Sequence, residues 1–188
     1  MKVILASRSP RRKELLAKII PEFDIVTSDT DETLPFGVHP REGVEILAIR
    51  KGEAVLPLLR GDELVISSDT LVELDGEALG KPNDAEDAVK ILLGLSGKTH
   101  RVHTGVAVHY RGKVFSGVDT AHVTFRKYTE TEALEYVKTG EPMDKAGAYA
   151  IQGIGGKFVE SYIGEFDTIV GLGLKLTKEL IERAVSNE

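Results

Sequence analysis

Residues Leu64-Val65-Ile66-Ser67-Ser68-Asp69-Thr70 pass from an apolar run to hydroxyls and a carboxylate. An apolar-rich run bounded by turn formers reads as a buried core strand, and here it breaks off so that Asp69 stands at its end. In α/β folds ligand groups gather just beyond strand ends, which makes Asp69 the first candidate for chemistry. Asp is equally common there as an N-cap or turn residue, and the stretch alone leaves the two readings even.

Upstream, Val3-Ile4-Leu5-Ala6 predicts another strand, followed by the loop Ser7-Arg8-Ser9-Pro10-Arg11-Arg12 and the helical run Glu14–Ile19. Ser9 before Pro10 is a helix start, Ser as N-cap and Pro at the first helical position. Arg11 and Arg12 then fall in the first turn, where the helix dipole disfavours cations by a few tenths to about 1 kcal/mol each. An anion would reverse that sign, because free amides, dipole and two guanidiniums would meet at one point. The plainer alternative is a solvated basic turn.

The chain has 188 residues, enough for one sizeable core, and a single domain over 1–188 is expected. Its apolar content is 41% and its charged content 29%, and no apolar run approaches the roughly 18 residues of a membrane helix, so no membrane partner is expected. The basic Ser7–Arg12 stretch interrupts any signal-like apolar region, and a cytoplasmic location is expected. There is no Cys, so disulfides and thiol catalysis are excluded and any metal must bind oxygen or His. A net charge of -6 argues against wrapping a nucleic acid duplex, and no aromatics interleave with Arg8, Arg11, Arg12 and Lys13 for base stacking. A small anionic ligand fits this balance.

Further along, Phe23–Val26 predicts a short strand before the acidic loop Ser28–Pro35, which holds Asp29, Asp31 and Glu32. A helix is expected from about Arg41 to Leu59, with Val44, Leu47, Ala48, Ala54, Val55 and Leu58 on one stripe. Lys51 falls on that stripe, so it either snorkels to the rim or enters a polar pocket. Asp75-Gly76 is a type I′ hairpin signal that folds Lys81 back towards Asp69 and Thr70. A helix from Ala85 to Leu93 is expected to stop at Gly94. His100–His109 and Gly112–Phe125 predict a long hairpin, whose histidines match no metal spacing and read as structural or solvent-facing. Thr129 with Glu132 is a capping box. The last third holds the Gly-rich segment Asp144–Gly156, expected strands at Lys157–Ile163 and Asp167–Val170, and a helix from about Leu174 to Ala184. Neither a Walker sequence nor a dinucleotide fingerprint is present.

Together Ser7, Arg11, Arg12, Lys51 and Lys81 with the carboxylates Glu32 and Asp69 point to phosphate and metal chemistry. Hard oxygen ligands on a divalent cation plus Arg and Lys clamps neutralise several phosphate oxygens at once.

The stretches Leu5-Ala6-Ser7-Arg8-Ser9-Pro10-Arg11-Arg12-Lys13-Glu14-Leu15-Leu16, Ser67–Val72, Leu79-Gly80-Lys81-Pro82, Leu95–His100 and Ala148-Tyr149-Ala150-Ile151-Gln152-Gly153 resemble, in order, the motifs of the Maf family of nucleoside triphosphate pyrophosphatases. The resemblance implies an elongated mixed α/β fold, a β-sheet flanked by helices with a cleft between two lobes. It implies hydrolysis of dTTP or UTP to the monophosphate and pyrophosphate, with a divalent cation (Mg²⁺ or Mn²⁺), and a homodimer. Carried over residue by residue, it puts Ser7, Arg11 and Arg12 on the phosphates, joined by Lys51 and Lys81. Glu32 and Asp69 become the metal-binding carboxylates, with Asp69 alternatively the base that takes a proton from water. Arg12, Thr70 and Gln152 become the residues that sort substrates. The competing reading is a non-catalytic nucleotide-binding regulator linked to cell division.

Overall fold

The computed structural model describes residues 1–186, so the last two positions of the expected unit lie outside the described residues. In chain order the elements are β1 (Val3–Leu5), α1 (Pro10–Ala17), β2 (Asp24–Ile25), α2 (Pro40–Glu53), β3 (Leu64–Leu74), β4 (Glu77–Leu79), α3 (Ala85–Leu95), β5 (Thr99–Tyr110) and β6 (Lys113–Phe125). After these come α4 (Glu130–Val137), β7 (Val159–Ile163), α5 (Phe166–Val170) and α6 (Leu174–Ser186). The strands form one mixed sheet in the order β2-β1-β3-β5-β6-β7, with β4 on the free edge of β3. β1 runs parallel to β2 and β3, and the other pairings are antiparallel.

The strand read from Leu64–Thr70 does not end at Asp69. β3 continues to Leu74, because the polar residues Ser67 to Thr70 keep the extended backbone that β5 needs from Val65↔His109 to Glu73↔Arg101. The other edge of β3 is covered unevenly. β1 pairs with Leu64, Val65 and Ile66, β4 with Val72, Glu73 and Leu74, and the edge between them carries no strand. Asp69 therefore lies in a gap of the sheet, and the loop after β1 and the loop after β4 leave on either side of it.

Four boundaries differ from the sequence reading. α2 stops at Glu53, and a 3-10 turn at Leu56–Leu58 follows. Pro57 explains this, since it lacks an N–H and its ring would strike the carbonyl four residues back. Leu58 is accordingly exposed at 62% instead of on the buried stripe. α3 runs through Gly94 to Leu95, whose burial in the core outweighs the local cost of the glycine. Phe166–Val170 is a helix, not a strand, an ambiguity inherent in short apolar runs. The strand expected from Lys157 begins at Val159, after a 3-10 turn over Ile154–Phe158.

The turns behave as read. Asp75 and Gly76 take φ +53° and +90°, and Arg111 and Gly112 take +49° and +73°, the left-handed pair that lets a two-residue hairpin follow strand twist. The Thr129–Glu132 capping box forms in full. Two apolar clusters lie along the sheet. One joins β1, the first half of β3, α1 and α6 around Leu5, Leu16, Ile66 and Leu180. The other joins α3, α4 and the far ends of β5 and β6 around Leu92, Val123, Phe125 and Tyr136. Ile151 packs against both, so the two cores meet beside the gap in β3.

Candidate active site

At the gap a cleft of about 550 Å³ opens, walled by Arg8 to Arg12 on one side and by Lys81 and residues 144–146 and 149–152 on the other. Six basic side chains line it (Arg8, Arg11, Arg12, Lys51, Lys81, Lys145) against the carboxylates of Asp69 and Asp144. A chain of charge -6 thus keeps a cationic cleft, which fits a polyanionic small molecule. Its floor is apolar, from Val72, Val102, Ile169 and Val170.

Successive residues of a strand point to opposite faces, and this divides the site. Asp69 faces α2, as does Ser67, whose hydroxyl donates to Ala48 O at 2.7 Å. Thr70 faces away, towards Arg12 and Thr104.

On the α2 face, Lys51 Nζ contacts Asp69 Oδ1 and lies 2.8 Å from Glu32 Oε1. Of the two placements open to Lys51, the structure takes the polar pocket: its side chain is 18% exposed. The hydrogen bond from Lys51 holds the Glu32 carboxyl below its ordinary range, against the partial burial that works the other way. The preceding residue of α2 secures the loop that carries Glu32, because Arg50 Nη1 donates to Thr33 O at 2.7 Å and Asp31 O at 3.4 Å. Lys81, exposed after β4, faces Glu32 electrostatically.

On the opposite face, Arg12 Nε donates to Gly171 O at 2.8 Å and Nη2 to Thr70 Oγ1 at 3.2 Å. Thr104 Oγ1 donates to Thr168 O, so in its 3.0 Å contact with Thr70 it is the acceptor, and the Thr70 hydroxyl, donating there and accepting from Arg12, keeps one acceptor site. Burial lowers the pKa of Arg12, with the nearby Asp69 charge opposing that shift. Ser7 does not line the cleft. It is buried, and its Oγ accepts the Ser9 N–H at 3.2 Å, shaping the loop before α1. Ser9 in turn caps α1 by accepting from Arg12 N at 3.4 Å. Gln152 stands on the far wall, exposed, with no hydrogen bond among the described residues.

Among the described residues no three Asp, Glu or His side chains are grouped to hold a metal. The two carboxylates that share one ammonium still suit a hard cation such as Mg²⁺, which takes one or two carboxylates and completes its shell with water and substrate phosphates. The histidines serve elsewhere: His103 bonds Glu73 and Thr120, His100 bonds Tyr149, and His122 is solvent-exposed.

Residues 2–184 match the Maf-like protein family. The chain belongs to this family. Among the relatives of this Maf-like chain, a protein of Acholeplasma laidlawii named dTTP/UTP pyrophosphatase is 46% identical over 184 residues, covering 96% of this chain and 95% of its own. One of the same name from Clostridium botulinum strain Alaska E43 is 44% identical over 188 residues, 98% of this chain and all of its own. Another, from Vibrio cholerae, is 43% identical over 182 residues, 97% of each chain. The solved structure of the Staphylococcus aureus Ham1 protein superposes with a TM-score of 0.48 at 18% identity, covering 99% of this chain and 95% of that one.

Two parts of the Maf-like cleft escaped the sequence reading. Lys145 and Asp144 form an ion pair on its wall, with Lys145 Nζ also 3.4 Å from Glu141 O. The carbonyl of Gly171 collects both Arg12 and the hydroxyl of Ser68, the latter at 3.0 Å. A lysine in a segment of 3-10 turns has no periodicity to mark it, and a backbone acceptor has no side-chain signature.

Proposed function

We propose that this Maf-like protein is a nucleoside triphosphate pyrophosphatase acting on dTTP and UTP. The observation that carries the reading is Lys51, which lines a cleft together with Asp69 and further cations and bridges Asp69 to Glu32 just behind that lining. The names of its relatives support the substrate class.

In this mechanism Arg11, Lys51 and Lys81 neutralise the phosphate oxygens, with Arg12 bound at the wall beside them. Water attacks the α-phosphorus in line, the bond from that phosphorus to the α,β-bridging oxygen breaks, and pyrophosphate leaves. Asp69 accepts the proton of the attacking water. Glu32 and Asp69 would hold a divalent cation, Mg²⁺ or Mn²⁺, which would supply charge neutralisation on the phosphates. The two duties of Asp69 compete for the same lone pairs, and the base role needs one of them free.

Base choice falls to Gln152 with Arg12 and Thr70. An amide both donates and accepts, as the imide edge of thymine or uracil requires, whereas an ionised carboxylate only accepts. The pairing of two copies implied by the family is part of the same proposal and is read by light scattering.

The test is pyrophosphate release by purified protein with Mg²⁺ over a panel of triphosphates. Equimolar monophosphate and pyrophosphate from dTTP and UTP is the expected result. No release above a no-enzyme control would instead favour a nucleotide-binding regulator.

A further inference from the structure

The turn that carries Gln152 is rich in glycine: Gly153, Gly155 and Gly156 follow it, and Gln152 is exposed. Two side chains outside the cleft lining hold its ends. Tyr136, fully buried on α4, accepts the Ala150 N–H at 3.3 Å and donates its hydroxyl to Glu141 Oε2 at 2.5 Å. Glu141 receives Ile154 N–H on Oε1 and Gly155 N–H on Oε2, each at 3.0 Å. One foot of the turn is thus fixed through Tyr136 and the other through Glu141, and the two anchors are bonded to each other. The carboxylate also presses on the turn between those feet. A Cβ at Gly153 would lie 2.0 Å from Glu141 Oε1, although the backbone there (φ -106°) suits any residue.

A carboxylate is the side chain suited to this place. It offers only acceptors, and all three of its partners here are donors. A segment so rich in glycine would otherwise sample many placements of Gln152, and ordering them on binding would weaken base recognition.

We infer that Glu141, backed by Tyr136, is a positioning residue for base selection, holding the turn that presents Gln152 to the nucleobase. The inference rests on the reading of Gln152 as the base-contacting residue. It predicts a phenotype confined to the base: binding of the pyrimidine is impaired while the phosphate chemistry at Asp69, on the other side of the cleft, proceeds.

The experiment compares wild type with Glu141→Gln, Tyr136→Phe, Gly153→Ala, Glu141→Ala and the double variant Glu141→Ala/Gly153→Ala. Steady-state kinetics use dTTP, UTP and dGTP, and thermal melts confirm folding. Loss of a charge-assisted hydrogen bond in the clamp should raise KM for dTTP and UTP about tenfold and lower the preference for dTTP over dGTP about tenfold. The expected kcat stays within about threefold of wild type, as for loss of uniform binding. Gly153→Ala should reproduce this in the wild-type background and add nothing in the Glu141→Ala background, where the obstructing carboxylate is gone. An equal fall in kcat for all three nucleotides with preference intact would overturn the inference and leave the proposed function standing, as would additive effects in the double variant. A wild-type protein that releases no pyrophosphate, or shows no pyrimidine preference, overturns the functional reading and this inference with it.

Discussion

The ammonium of Lys51 lies between the carboxylates of Asp69 and Glu32, touching the first and 2.8 Å from the second. Strand β3 supplies one acid, the loop before α2 the other, and α2 the base that joins them. Lys51→Met leaves the two carboxylates without the ammonium that bridges them, with only the more distant charges of Arg12 and Lys81 nearby. Turnover should fall about 100-fold or more, and the Mg²⁺ concentration for half-maximal rate should shift, since the repulsion then rests mainly on the cation. Asp69→Asn should cost about 10²–10⁴-fold, the range of a lost general base, with thermal unfolding little changed. Pyrophosphate release by Asp69→Asn at the wild-type rate would remove Asp69 from the chemistry.

Gln152→Glu separates specificity from catalysis. The exposed amide has no partner among the described residues, so the fold should tolerate the exchange. A carboxylate cannot donate to a base carbonyl, and dTTP and UTP turnover should drop about tenfold more than turnover of a guanine nucleotide. Equal losses across the nucleotide panel would exclude Gln152 from base reading.

Gly105 stands opposite Asp69 in the β3–β5 register, and its missing side chain is what lets α2 approach. A Cβ there would lie 2.5 Å from Val44 O, a backbone atom of the helix that carries Lys51. Gly105→Ala should therefore destabilise the protein by about 1–3 kcal/mol in urea titrations and lower turnover as well, because Lys51 moves with the helix. Full activity with unchanged stability would mean that α2 does not depend on this approach.

His100 gives the protein an acid-sensitive core. Its ring is 1% exposed, its Nε2 meets the Tyr149 hydroxyl at 2.8 Å, and its Nδ1 has no partner among the described residues. Burial lowers its pKa from 6.5 to about 4. Above pH 6.5 the ring is neutral in folded and unfolded chains alike. Between 6.5 and about 4 the unfolded chain alone binds the proton, so stability falls as pH falls through that window and this contribution levels off below it. His103 and His109, whose pKa burial also lowers, add to the loss in both proteins, so the expected signature of His100 is that wild type loses on the order of 3 kcal/mol more than His100→Gln across this window. Parallel urea-derived stability curves for the two proteins from pH 7 to 4 would contradict this.

Much of the fold was legible locally. The Ser9-Pro10 helix start, the Asp75-Gly76 and Arg111-Gly112 turns and the Thr129–Glu132 cap are decided by residues within a few positions of one another, whose φ/ψ limits and side-chain acceptors act without tertiary help. The ordered motifs hold Asp69, Lys81 and Gln152, and the family resemblance they carry added Glu32 and Lys51 to the same set. Tertiary structure decided how that set is arranged. Nothing in Leu64–Thr70 says that the strand continues to Leu74, because β5 supplies the pairing there from distant positions, Leu71↔His103 to Glu73↔Arg101, and β1 and β4 leave the gap. The same holds for the polar pocket around Lys51, the tie of Arg12 to Gly171 across 159 positions, and the hold of Glu141 on the Gln152 turn. These depend on burial and on partners distant in sequence, and an isolated segment carries neither.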